Sequence, residues 1–339
     1  MVLNKDKHHA SKGFPTAKLS GVVLLLFAVI IASFWHLSLG AKNIDWVTIW
    51  QALTAYNPLD SDQSIIRESR QARLIVALVV GAALALAGVI MQAISSNPLA
   101  DPGLLGINSG AAFFVVASTL FFPMVGPHYL PLFAFLGAAI AAFIVMLLAG
   151  WEQNSERLVL AGVAVTAIFS AIIAILLLVD QQGLDKLRHW LTGAIGASDL
   201  VKLNWVYPYL IIAMICCFAL VRSLNAFHLG ARAAEGLGVN VLLLKISGLA
   251  LVVVLSGSVV AVAGPIGFVG LVIPHISRLF VRNNYIWLFL YFLLLGALLL
   301  IVSDIAARVV FRPYEINTGI ITAFIGAPVF IALVLRKMK

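Results

Sequence analysis

Long apolar runs alternate with short polar turns from one end of the chain to the other. A run of about 20 residues, rising ~1.5 Å per residue as a helix, covers a hydrocarbon core of ~30 Å. On that measure the pattern predicts spans at 19–39, 74–94, 104–122, 130–149, 158–179, 203–220, 241–262, 286–302 and 319–335. One more run, ending near Phe280, is short and interrupted by Pro265, Gly267, Gly270 and Pro274. The expected fold is an all-α polytopic membrane protein of about ten transmembrane helices.

The segment from Arg70 to Gly110 organises the rest. Within 74–94, Gly81, Ala85, Gly88 and Gln92 are spaced by four, three and four, so small residues and one amide share a helical face that admits a close neighbour. Asn97, Pro98, Asp101, Pro102 and Gly103 then force a turn, because proline lacks an N–H and disfavours helix before it. The string GSVVAVAG at Gly257 to Gly264 echoes GAALALAG at Gly81 to Gly88. The two lie five spans apart and cross in opposite directions, the pattern of an inverted-topology repeat.

Between the sixth and seventh spans lies a longer polar interval, 222–240. Its alanines favour helix while Gly230, Gly236 and Gly238 break it, so two short helices along the membrane surface are expected. The interval 40–73 reads as a loop holding an amphipathic segment around 44–53, with Trp46 and Trp50 at headgroup depth. A second amphipathic patch, 184–200, carries Trp190 and Gly193. Residues 1–18 form a polar tail with Lys5, Lys7, Lys12 and Lys18, and 19–336 form one transmembrane domain. The first apolar run exceeds the ~7–15 residues of a signal-peptide core, so an uncleaved span is expected.

Composition agrees with the pattern. Of 339 residues 62% are hydrophobic and 11% charged, far below the ~25% charged residues of soluble chains. A formal net charge of +8 reflects basic residues in short loops, without the basic stripe that nucleic-acid binding needs. With both termini placed in the cytoplasm, about 13 Lys and Arg fall inside and about 9 outside. Arg67, Arg70, Arg73, Arg308 and Arg312 carry the outer excess. Snorkelling to lipid phosphate and a docking role both account for them.

Candidate chemistry is sparse. No G-x-x-x-x-G-K-[ST] loop, H-E-x-x-H or G-x-S-x-G occurs, so the chain is expected to be neither an ATPase nor any other enzyme. Cys216 and Cys217 are adjacent in an apolar run and suit packing. His8 and His9 suit a solvated tail. Asp304 and Arg308, four apart, read as an i,i+4 ion pair. His275 suits a capping or interhelical hydrogen bond, and Gln92 and Asn97 suit hydrogen bonds across helices near an inner gate.

Gly81, Gly88, Gln92, Asn97-Pro98-Leu99-Ala100, Pro102, Leu105-Gly106, Gly110-Ala111, Leu229-Gly230, Leu237-Gly238, Gly264 to Leu271, Pro274-His275, Arg278, Asp304, Arg308, Glu315, Gly319 and Gly326-Ala327-Pro328 form a series of dispersed motifs. Taken in order, they resemble the FecCD family of permeases of binding-protein-dependent ABC importers for iron siderophores, haem and cobalamin. The resemblance covers about Asp45 to Arg336 and implies a type II importer permease fold in the bacterial cytoplasmic membrane. It implies a second permease subunit, two ATPase subunits that bring ATP and Mg, an extracytoplasmic substrate-binding protein, and a ferric siderophore as cargo, with haem or cobalamin behind it. It makes Leu229, Gly230, Ala231, Ala234, Glu235, Gly236, Leu237 and Gly238 the ATPase-coupling surface. Arg70, Arg73 and Arg308 become docking residues for the binding protein. Gly81, Gly88, Gln92, Asn97, Pro98, Gly264, Pro265, Pro274 and Gly326 become helix-packing or pathway residues. No metal site or cofactor is implied in the chain itself. Gln71-Ala72 and Asn317 depart from the family's Leu-Pro and Pro, which leaves the local geometry there open. The competing reading from another class is an ion- or proton-coupled secondary transporter, which places ionisable groups at the bilayer midplane.

Overall fold

The computed structural model describes residues 15–122, 124, 126, 129–150, 155–179, 190–281 and 285–337. The histidine pair His8 and His9, the lysines at 5, 7 and 12, Pro123 and Pro127, residues 184–189 of the second amphipathic patch, and Arg282 lie outside the described residues. Every regular element among the described residues is helical. In chain order they are α1 (Pro15–Ser38), α2 (Trp46–Thr54), α3 (Ser61–Ile94), α4 (Ile107–Phe121), α5 (Leu130–Ala149), α6 (Ser155–Val179), α7 (Asp199–Ala219), α8 (Val221–Phe227), α9 (Ala231–Gly236), α10 (Val241–Ala263), α11 (Val269–Phe280), α12 (Tyr285–Val309) and α13 (Thr318–Lys337). Seven of the described helices are long and apolar enough to cross a membrane. The chain is a multi-pass membrane protein. Shorter apolar helices are α4 and the Thr318–Ala332 part of α13.

Helix α3 is the axis. Its apolar window is 78% buried, against 17% for α1 and α6, and it packs on α7, α10, α11 and α12. Helices α4, α5 and α6 make a second group joined to this core through α10, while α1 lies along α12. Exposed Leu24, Phe27, Leu160 and Ile168 mark the faces turned to lipid. Lipid tails are as apolar as leucine, so helices associate through close contact between small residues. Gly81 meets Gly296, Gly88 meets Gly270 and Gly110 meets Gly137, each near enough that an added methyl would strike the opposing backbone. The small-residue stripe of α3 thus holds two helices in succession, α12 and then α11.

Two expectations need correction. The loop reading of 40–73 is right only as far as residue 60. Asp60 caps a helix, its Oδ1 accepting from the N–H of Asp62 (2.9 Å) and Gln63 (3.4 Å), and α3 runs on through a π-helical stretch, Ile65–Arg70, into the apolar span. Polar side chains there conceal a helix that extends beyond the apolar run. The short span ending near Phe280 is interrupted only ahead of it. Helix α10 stops at Ala263, Gly264 turns with φ +72°, and Phe268 takes a left-handed φ of +68° before α11 starts. Gly270 and Pro274 sit inside α11 without breaking it.

Candidate functional site

Two polar regions stand at opposite ends of the bundle. At the end bearing α2, Asp304 is fully buried; its carboxylate bonds three groups and forms an ion pair with a fourth. His36 Nε2 lies 2.8 Å from Oδ2, Arg308 Nε 3.1 Å from Oδ2, Arg73 Nη2 2.9 Å from Oδ1, and Thr318 Oγ1 2.9 Å from Oδ1. One carboxylate therefore ties α1, α3, α12 and α13. Arg73 continues outward, its Nη1 donating to exposed Glu315 at 2.7 Å. The expected Asp304–Arg308 pair is present, inside a larger network.

Arg70 and Arg308 close the carbonyl end of α1. Arg70 donates to the backbone oxygens of Leu37 (2.6 Å), Ser38 (2.7 Å) and Lys42. Arg308 donates to those of Leu39 (3.0 Å) and His36 (3.2 Å). A helix C-terminus leaves its last carbonyls unpaired and carries negative dipole, so guanidinium is a fitting cap. Gly40 leaves the room, since a methyl there would fall 2.9 Å from the Arg70 guanidinium. The two side chains are 5% and 3% exposed. This corrects the expectation that they face a docking protein; their donors are spent within the chain. Exposed cations at this end are Arg67, stacked 5.2 Å over the Tyr56 ring, Arg312, and Lys42, paired with Asp62 at 2.6 Å.

At the other end, α8 and α9 are the two short helices expected in 222–240. Gly230, at φ +106°, separates them. Helix α9 ends in a Schellman turn, with the Val239 N–H bonding the Ala234 carbonyl (3.0 Å), the Gly238 N–H bonding that of Glu235 (2.9 Å), and Gly238 at φ +83°. Leu229, Gly230, Ala231, Glu235, Gly236, Leu237 and Gly238 are exposed. Ala234 is fully buried, which corrects its expected place in a contact surface: it seats α9 on the bundle. Asn225 of α8 accepts the Tyr285 N–H at 3.1 Å, fixing the helix pair to the first residue of α12. Sequence reasoning missed His36, Thr318 and Asn225, each of which bonds a residue on another helix.

The packing residues fall between these ends. Pro274 has no N–H, which frees the Gly270 carbonyl one turn earlier, and Gln92 Nε2 points to it at 3.5 Å. The expected bond from Gln92 across helices is thus found. Asn97 is corrected: its Oδ1 accepts locally from the Leu99 N–H (3.0 Å), closing the turn around Pro98. Gly264 and Pro265 press on Trp190 and Gly193, where the Ala194 N–H bonds the Ala263 carbonyl (2.9 Å) and the Gly319 N–H bonds that of Gly193 (2.8 Å). Gly326 abuts Phe268. The interruption before α11 is therefore sewn to α13. Among the described residues no group of three or more His, Cys, Asp and Glu is placed to hold a metal ion.

Comparison with known proteins gives this arrangement a context. The model of the FecCD transport family matches residues 15–336. The protein named "Probable siderophore transport system permease protein YfiZ" of Bacillus subtilis (strain 168) is 40% identical over 321 residues, covering 94% of this chain and 96% of that one. The Fe(3+)-citrate import system permease protein YfmD of the same organism is 36% identical, covering 96% and 97%. A solved structure of a metal-chelate type ABC transporter, in an inward-facing conformation, superposes with a TM-score of 0.82 at 29% identity, covering 94% of this chain and 99% of that one.

Proposed function

Since the chain belongs to the FecCD transport family, we propose that it is the permease subunit of an ABC importer carrying an iron chelate, a ferric siderophore first and haem or cobalamin behind it, across the bacterial cytoplasmic membrane. Two such subunits, identical or similar, would enclose one pathway. The α2 end is assigned to the outer face and the α8–α9 end to the cytoplasm, with both termini inside and ten crossings.

The observation that carries this reading is the exposed, rigid pair α8 and α9. A small-residue surface backed by buried Ala234 and tied through Asn225 to α12 passes on a push from a partner as a rigid body. Partner ATPases, with their ATP and Mg, would supply that push. Transport then needs no nucleotide chemistry from this chain.

The inverted repeat fits the packing. Gly81 on α3 faces α12, while its echo Gly257 on α10 faces Ala138 and Phe135 of α5. Relating the second span to the seventh relates the ninth to the fourth, which is the observed exchange of neighbours. At the outer face, exposed Arg67, Glu68, Arg312 and Glu315 would meet the binding protein, with Arg73 linking Glu315 to the buried network. The most deeply buried ionisable groups, His36, Asp304 and Arg308, lie in one network at the α2 end rather than spread along the spans as a secondary transporter would require.

The test is uptake of labelled ferric siderophore by proteoliposomes holding the whole assembly. Import should depend on ATP and fall at least tenfold in Glu235→Arg and Gly236→Trp variants that still insert and pair. Uphill import by this chain without an ATPase would defeat the proposal.

A further inference from the structure

Beside the coupling helices, a cavity of about 320 Å³ opens between the end of α3, the turn from α8 to α9, and the facing parts of α11 and α12. Its wall includes Gln92, Ser96, His228, Arg278 and Tyr285, and no Asp or Glu lines it. Arg278, in the last turn of α11, is half-buried. Among the described residues its guanidinium has neither a hydrogen bond nor an ion pair. This contrasts with the other end of the bundle, where Arg70, Arg73 and Arg308 each bond or pair with carbonyls or carboxylates. A cation partly withdrawn from water, with no counter-charge among the described residues, is stabilised by an anion that comes to it.

The remaining groups fit the same occupant. The rings of His228 and Tyr285 meet edge to face at 6.4 Å, presenting an imidazole and a phenol beside the guanidinium. Tyr285, whose N–H bonds Asn225, leaves its hydroxyl without a partner among the described residues. Ser96 holds a positive φ of 50° and adds a second hydroxyl. Gln92, 2% exposed, stands in the wall with its Oε1 unpartnered. Guanidinium and hydroxyl donors recognise oxyanions, while the glutamine oxygen calls for a donor.

We propose that this cavity binds a phosphate-type oxyanion that also carries a hydroxyl. Inorganic phosphate, with its P–OH, and the glycerol-bearing headgroup of phosphatidylglycerol share that chemistry. Bound there, the anion bridges α11 and α12 to the turn between α8 and α9, so its occupancy sets how firmly the coupling helices are held against the bundle. Binding is measured without transport, so this proposal and the permease reading stand or fall separately.

The experiment uses the purified full-length chain in two arms. In neutral detergent, equilibrium dialysis against labelled orthophosphate measures free phosphate. In phosphatidylcholine nanodiscs with and without phosphatidylglycerol, native mass spectrometry counts retained lipid. One ligand per chain is expected in at least one arm. Saturable phosphate identifies the free ion, retained phosphatidylglycerol identifies the headgroup, and both together support one shared site. Arg278→Gln should weaken binding about tenfold or more, the effect of one charge-assisted contact, with partial rescue in Arg278→Lys. Tyr285→Phe, run in parallel, should weaken it about three- to tenfold at an unchanged unfolding temperature, so a failure of Arg278→Gln to fold leaves the question answerable. No ligand in either arm, binding indifferent to Arg278→Lys and Tyr285→Phe, or a cavity filled only when an ATPase subunit is added would each overturn it.

Discussion

Gly81 and Gly296 meet backbone to backbone, and a methyl added to either would run into the carbonyl oxygen of the other. Neither residue has a side chain to hold the backbones apart, so α3 and α12 approach closely. Because lipid supplies no hydrophobic drive to press helices together, that approach and its dispersion contacts carry much of the association.

Substitution at this crossing should therefore act through distance. Gly81→Ala is expected to lower stability by about 1 to 3 kcal/mol, the ordinary cost of overpacking, and Gly81→Leu to prevent a stable fold. Thermal unfolding in a mild detergent, with size-exclusion profiles of each variant, measures this. A Gly81→Leu protein as stable as the parent would mean that the two helices are not in contact.

The buried Asp304 network predicts a contrast between inner and outer charges. Asp304→Asn leaves Arg73 and Arg308 without their carboxylate and should cost about 3 to 5 kcal/mol. Glu315→Gln removes the exposed partner of Arg73 and should cost only ~0.2 to 1 kcal/mol. Unfolding midpoints of the two variants, compared at low and high salt, decide it. Equal losses would mean that Asp304 is solvated.

How far the sequence revealed these features depends on the range of the interactions. The α8–α9 pair was legible because alanines and glycines act locally, through helix propensity and positive φ. The stripe of Gly81, Gly88 and Gln92 was legible as a face, but its partners Gly296 and Gly270 were not, since periodicity on one helix says nothing of its neighbour. Arg70 and Arg308 illustrate the opposite error. Both look like surface charges at a span's outer end, and only the folded chain shows the end of α1, far off in sequence, whose carbonyls they cap. The start of α3 was hidden because 61–70 is polar, and hydropathy sees only the part of a helix that lies in lipid.

At α9 the Schellman turn separates folding from the proposed coupling role. Gly238 holds φ +83°, so Gly238→Val should strain the turn by about 1 to 2 kcal/mol and lower ATP-driven uptake while the apolar helices stay packed. Leu237→Ser touches only an exposed side chain and should reduce partner binding with no change in unfolding temperature. Ala234→Leu should do the reverse, because Ala234 is buried and a larger side chain would lift α9 off the bundle. Pull-down of an ATPase subunit alongside thermal melts reads both effects. Indistinguishable behaviour of Leu237→Ser and Ala234→Leu would show that the inner and outer faces of α9 have been misassigned.

A final prediction concerns the turn between α3 and α4. Asp101 accepts the Gly103 N–H through Oδ1 at 2.8 Å, which favours the ionised carboxylate, but loss of hydration outweighs that bond and pushes the carboxyl above the usual carboxylate range. A raised folded-state value means that the unfolded chain ionises first as pH rises, so ionisation destabilises the fold, fully so above the folded value and not at all below the unfolded one. Asp101→Asn keeps an acceptor for Gly103 and removes the charge. It should raise the unfolding midpoint at pH 7.5 and lose that advantage near pH 4. A variant that is less stable than the parent at pH 7.5 would show that the turn draws more from the charged hydrogen bond than it loses to desolvation.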